Sequence, residues 1–334
     1  MKMKKKLLAV ACASMFSASA FAGDFYINAG VDWPIDPDSN SKTESIRSLG
    51  LTGSLATSVY YDSTFTAPGS PPTGTLSTAK VFDSNTVAQL TPFGYAPGTY
   101  TAIDGVTSVT LHNPQAPGEV NIDNLNLVNG SGTDTEGFAA LPNPPVLKQW
   151  GMEFRYALDG TLDISSPEAV KYSANYIDLF YTGNAGVPGV TVPQQILRLD
   201  VNGSVLSPAN LEIKGLATFD FDGLGATDDT LALTAAKQAF VRNFFNDIST
   251  GKSFYDLWLA GNPIEFSFNT NVVPPIPFNS QLVKFIDPDT GLPTYIRQST
   301  LNSEIIFKVP TPAPLALLGM GLLGFSAFRK ARKI

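Results

Sequence analysis

Trp150-Gly151-Met152-Glu153-Phe154-Arg155-Tyr156-Ala157-Leu158 decides the fold class. Trp150, Met152, Phe154, Tyr156 and Leu158 alternate with Gly151, Glu153, Arg155 and Ala157, so a strand here has one apolar face and one largely polar face. A helix would instead bring every third or fourth residue onto one face. Further β-rich runs follow at Tyr176 to Tyr181, Leu211 to Phe219, Ile264 to Phe268, Leu282 to Ile286, Thr294 to Ile296 and Ser303 to Lys308. Gln195 to Val201 and Ser204 to Leu206 flank Asn202-Gly203, a pair that tolerates the positive φ of a type I′ turn, which predicts a hairpin. Breaks rich in Gly and Pro separate the runs, at 67–72, 92–97, 113–118, 141–145 and 274–277. This pattern predicts a mainly β chain, an antiparallel β-sandwich of jelly-roll-like type.

One segment departs from the β pattern. Leu233, Ala236, Phe240, Val241, Phe244, Phe245 and Ile248 fall near the spacing of one helix face, and Phe254 to Ala260 reads as a second short helix carrying Trp258. These predict one or two short helices near 231–260, capping an end or edge of the sandwich.

Composition removes several function classes. Only 15% of the 334 residues are charged, against about 25% in an average domain, and 22 Lys+Arg face 29 Asp+Glu. An acidic chain lacks the basic patch that nucleic acid requires. One Cys and one His exclude a disulfide framework, a four-Cys zinc site, a CxxC redox centre and a His-rich metal cage. The single His112 lies between a strand end and Asn113-Pro114, a turn position, and no G-x-S-x-G elbow accompanies it.

The two ends carry addresses. Residues 1–22 read as a signal peptide: Lys2, Lys4, Lys5 and Lys6, then the apolar Leu7 to Phe16, then Ala20-Phe21-Ala22 before Gly23. Cutting before Cys12 as a lipoprotein would leave an apolar region of only about five residues, short of the usual seven or more. At the other end, Leu315 to Phe328 is an apolar run closed by Arg329, Lys330, Arg332 and Lys333. As a helix 315–328 would span roughly 21 Å, a short transmembrane segment whose basic cluster stays on the cytoplasmic side.

Val309-Pro310-Thr311-Pro312-Ala313-Pro314, the Leu/Gly-rich run and the Arg/Lys tail together resemble the PEP-CTERM sorting signal of Gram-negative bacteria, with Thr311 where that family usually has Glu. The resemblance covers 309–334. It implies recognition by a membrane-embedded exosortase-type enzyme, cleavage near the Pro-x-Pro motif, and release to the cell surface or exopolysaccharide matrix. The implied partners are signal peptidase, the sorting enzyme, the inner membrane in passing and exopolysaccharide.

Between the ends, 23–308 is the exported domain, with a sub-boundary at the Pro-rich stretch near 141–147. The ends hold eight of the 22 positive charges and none of the 29 negative ones, so 14 against 29 leaves this body near −15 and without Cys. Such a charge keeps it soluble and repels anionic polymers unless divalent cations bridge them. Calcium is the candidate ion. Asp36, Asp38 and Asn40 alternate as at the opening of an EF-hand loop, although Ser41 and Arg47 replace the required Gly and Glu. Asp220, Asp222, Asp228 and Asp229 form a second acidic cluster and Asp287-Pro288-Asp289 a third; turn chemistry accounts for each equally. Glu153, Asp159 and Asp163 are the carboxylates from which a glycosidase pair would be drawn.

No catalytic constellation stands out. The leading expectation is a non-enzymatic surface or matrix protein with a structural or adhesive role linked to exopolysaccharide. The alternatives are a secreted polysaccharide-active enzyme using Glu153 and a calcium-dependent carbohydrate-binding module.

Overall fold

The structure is a computed structural model that describes residues 23–28, 43, 45–61, 78–112, 118–121, 141–142, 145–146, 152–163, 170–181, 193–207, 210–221, 235–270 and 277–309. Its main sheet runs through β2 (Ser48–Tyr61), β3 (Thr78–Ser84), β9 (Met152–Asp163), β10 (Val170–Tyr181), β11 (Gln194–Ser207), β12 (Asn210–Thr218), β14 (Glu265–Thr270) and β16 (Pro293–Lys308), each antiparallel to the next. β16 then pairs with β2, from Tyr295 opposite Tyr60 to Ile306 opposite Ser48. A sheet whose last strand bonds its first has no free edge, so these strands form an eight-stranded up-and-down barrel. β6 (Gly118–Asn121) completes the wall beside β3. It pairs with Gly50–Thr52 and Met152–Phe154, whereas β3 pairs with Thr57–Tyr61 and Ala157–Asp163. β7 (Leu141–Pro142) and β8 (Pro145–Val146) pair with each other, and strands from both sides of 141–147 share one barrel.

The mainly β, antiparallel expectation holds. The two layers of the expected jelly-roll-like sandwich become opposite walls of a single closed sheet. Both architectures require one core-facing side per strand, and the closing pair lies too far apart in sequence to leave a local signature.

β9 shows how the alternation is used. Met152, Phe154, Tyr156 and Leu158 are buried in the main core, while Glu153 and Arg155 on the other face are half-buried. The predicted hairpin at Asn202-Gly203 does not form. β11 runs straight through it, paired with β12 from Arg198 opposite Thr218 to Ser207 opposite Asn210, with a slip of register between Val201 and Gly203. Neither residue takes the positive φ that a type I′ turn demands, so the Asn-Gly pair marks a β-bulge. Gly215 sits against this bulge: a Cβ there would lie 1.8 Å from the Asp200 carbonyl oxygen. Gly215→Ala is expected to cost at least about 2 kcal/mol through forced separation of β11 and β12. Calorimetry should show this as a fall of roughly 4–8 °C in Tm.

One end of the barrel is closed by aromatic residues. β1 (Phe25–Ile27) pairs with β13 (Phe245–Asp247), flanked by α2 (Ala235–Arg242) and α3 (Phe254–Leu259). Phe25 packs on Phe245, Phe254 and Phe307 with ring centroids 6.1, 5.7 and 5.4 Å away. Two helices cap the barrel, as expected, but the first stops at Arg242. Phe245 joins β13 instead, because Ile27 offers it a strand partner, and Ile248 is exposed. Ser253 starts α3 by accepting the Asp256 N–H at 3.0 Å, which satisfies one of the orphan donors of the first turn.

A second apolar cluster lies on the outer wall. Val59, Phe82, Ala157 and Ile296 are covered by α1 (Val87–Leu90), the hairpin of β4 (Gly98–Thr101) and β5 (Ser108–Leu111), and β15 (Val283–Ile286). Gln298 of β16 ties the hairpin down. Its Oε1 accepts the His112 N–H at 2.7 Å, and its Nε2 donates to the His112 carbonyl at 2.6 Å and the Tyr95 hydroxyl at 2.9 Å. Among the described residues no helix is long and apolar enough to cross a membrane. The expected span 315–328 lies outside them, as do the signal peptide and Pro310 to Pro312 of the sorting motif; Val309 is buried at the end of the core.

Candidate functional site

The half of the barrel away from the aromatic plug holds a cavity. Ser58 and Tyr60 of β2, Asp83 of β3, Tyr156 of β9, Tyr172 of β10 and Arg297 of β16 line it together with apolar residues of β12 and β14. Strand parity brings them there: Ser58 and Tyr60 are two apart on β2, while Val59 between them faces the outer cluster. β2 has an irregularity opposite Leu301 to Ser303, which lets Leu49 and Leu51 face the core lower down while the even-numbered residues face it here.

Asp83 dominates the electrostatics. It is buried at 7% exposure, and its Oδ1 accepts no hydrogen bond among the described residues. Burial pushes its carboxyl up to about 6, against a hydrogen bond from Ser58 and the positive charge of Arg297, which both favour the anion. Arg297 is itself buried at 5% exposure. Burial also raises the phenols of Tyr60 and Tyr156, and the negative charge of Asp83 adds to this; for Tyr60 the opposing pull of Arg297 is larger than that of Asp83. Both tyrosines therefore remain neutral hydroxyl groups. Asn85, fully buried, holds the adjoining wall by donating to the Phe154 carbonyl and accepting the Tyr156 N–H, each at 3.0 Å.

A carboxyl and a guanidinium under one apolar roof suit a group that donates to Asp83 and bears little charge of its own, since burying a further charge would carry its own desolvation cost. Size narrows the choice. The cavity is about 50 Å³. A cavity that takes up benzene measures about 150 Å³, so this one encloses the tip of a slender molecule and not a sugar ring.

The residues singled out from sequence lie elsewhere. Asp36, Asp38, Asn40, Asp222 and Asp228 are outside the described residues, as are Trp33 and Trp150. Asp220 is exposed just after β12, where its N–H donates to Thr218 Oγ1 at 3.1 Å. Asp287 Oδ1 accepts the N–H groups of Asp289 and Thr290 at 2.8 and 3.1 Å, an Asx turn. Among the described residues no three His, Cys, Asp or Glu side chains gather as metal ligands do. Glu153 and Asp159 stand on the side of β9 away from the lumen, and Asp159 accepts from Asn175 Nδ2 at 3.0 Å. The sequence reading missed Asp83 and Arg297. The only available signal was a charged residue at an inward-facing strand position, in Ala79-Lys80-Val81-Phe82-Asp83 and Tyr295-Ile296-Arg297.

No family model matches the chain, and no curated protein or solved structure does.

Proposed function

We propose that this is an exported, non-enzymatic surface or matrix protein whose barrel takes the tip of a slender, uncharged, hydrogen-bonding molecule into its lumen. The observation that carries the binding half is the buried Asp83 oxygen that accepts no hydrogen bond while lining a cavity beside Arg297. Leaving such an acceptor unmatched costs about 1–3 kcal/mol, which a guest hydroxyl or amide N–H recovers. The export half rests on the leader, Lys2 to Ala22, and on the three-part tail from Val309 to Lys333. Signal peptidase, an exosortase-type enzyme and the inner membrane act in turn on those ends. Exopolysaccharide would meet the acidic outer surface and not the lumen, which suits a neutral polymer or one bridged by cations.

Short primary alcohols and amides are the probes for the lumen. They are expected to raise the Tm of the wild type and to leave Leu211→Trp, which fills the cavity, unshifted. An unshifted wild type overturns lumen binding. For export, deletion of 309–334 is expected to move the tagged protein away from the cell surface; an unchanged location, or cytoplasmic retention of the intact chain, overturns that half.

A further inference from the structure

Asp247 is the second buried carboxylate that the fold leaves incompletely matched. It ends β13 and is fully buried. Its Oδ2 accepts the Ser249 hydroxyl and the Thr250 N–H, both at 2.7 Å, whereas its Oδ1 accepts nothing among the described residues. The unmatched oxygen faces Gly23: a Cβ built on that glycine would lie 3.2 Å from it. Standard backbone dimensions put the Gly23 nitrogen about 2.5 Å from that Cβ position, hence within about 6 Å of the carboxylate.

Gly23 is held in place by the residues after it. The Asp24 carbonyl accepts the Ile248 N–H at 3.0 Å. Phe25 and Ile46 exchange two backbone hydrogen bonds at 2.9 and 2.7 Å. The Phe25 ring then sits in the aromatic plug. Val309 lies against the same face of Gly23, its Cβ 3.7 Å from the same built position. The two processing points read from the sequence, the Ala22–Gly23 bond and the start of the Pro-x-Pro motif, thus leave the barrel side by side at its closed end.

We propose that removal of the leader creates the missing partner: the α-ammonium of Gly23 takes Asp247 Oδ1 and locks the closed end of the barrel. This rests on the export reading above. Hydrolysis breaks the Ala22–Gly23 amide bond; water supplies the hydroxyl of the Ala22 carboxylic acid and the proton that leaves Gly23 as an amine, and the acid then loses its proton to solvent while the amine takes one up as an ammonium. Before the cut the nitrogen is an uncharged amide. Afterwards it carries a positive charge beside a buried anion, an arrangement whose charge-assisted hydrogen bond is about twice as strong as a neutral one. Among the described residues, other charges near this end have neighbours of their own or face solvent. Asp24 pairs with Arg47 at 3.2 Å, Lys308 stands opposite Glu265 in the β14–β16 ladder, and Lys252 is exposed.

The test compares the full chain exported behind its own leader with a chain bearing one additional alanine between Ala22 and Gly23, each with Asp247 and with Asp247→Asn. Terminal sequencing first shows where each chain begins; a start other than Gly23 in the chain without the added alanine counts against the processing reading and not against the ion pair, which is then measured on chains released by a site-specific protease at Gly23 or at the added alanine. Acylation requires the free amine, so a carboxylate that raises the amine's pKa by one unit slows labelling about tenfold. The Gly23 amine is expected to label about tenfold more slowly than the displaced amine, and Asp247→Asn is expected to abolish the difference. The added alanine should lower Tm in the Asp247 background only. Equal labelling rates in all four chains, or a Tm loss that ignores residue 247, overturns the proposal.

Discussion

Phe307→Ala will destabilise the barrel by about 3–5 kcal/mol, the usual cost of deleting a fully buried ring, and lower Tm by roughly 10–15 °C. Phe307 has no exposure, and it contacts three other rings, Phe25, Phe245 and Phe254, with centroids 5.4, 6.1 and 5.3 Å away. Those rings come from three different elements, β1, β13 and α3, so no single neighbour relaxes into the space. Loss of Phe307 should also release the strand that positions Gly23, and limited proteolysis should cut near Phe25 before any site in the barrel wall. Phe278→Ala, at a ring 61% exposed, provides the control and should change stability by less than about 0.5 kcal/mol. A Phe307→Ala protein that melts with the wild type would remove the aromatic plug as the stabilising closure.

Asp83→Asn has the opposite sign and depends on pH. Burial raises the Asp83 carboxyl from 3.8 to about 6, so the folded chain binds more protons than the unfolded chain between those values. Stability therefore falls as pH rises through that window, and the full penalty is present above it. Two pH units correspond to of order 3 kcal/mol. Asn retains the size and the acceptor without the charge. The variant is thus expected to match the wild type near pH 4 and to exceed it at pH 7.5 by roughly 5–10 °C in Tm. A Tm difference that is the same at both pH values would show that the carboxyl is not titrating in the lumen.

The surroundings of Asp83 explain why the site was hidden in the sequence while the strands were not. β9 shows its faces plainly, because Glu153 and Arg155 oppose Met152, Phe154 and Tyr156. β3 does not. Val81 turns inward to the core and Phe82 outward to the second cluster, so both faces are apolar and Asp83 reads as an ordinary strand end. Arg297 has the same difficulty, being flanked by Ile296 under the outer insertion and by Gln298, which is engaged with the β5 end. Nor could a local rule have separated the Asn202-Gly203 bulge from a turn, since the bulge exists only against Gly215 of the neighbouring strand.

Taken alone, the sequence determined the mainly β class, the short helices near 231–260 and the acidity of the chain. Each of these depends on period, charge or order within a short stretch. Tertiary structure alone decided that the sheet closes, that the lumen holds Asp83 and Arg297, and that Gly23 and Val309 meet beside Asp247. Alternation assigns two faces to a strand but does not say which is inside. That choice is made when Tyr60 finds Tyr295, Phe25 finds Phe307 and an insertion covers the outer wall, through contacts whose energy depends on partners far along the chain.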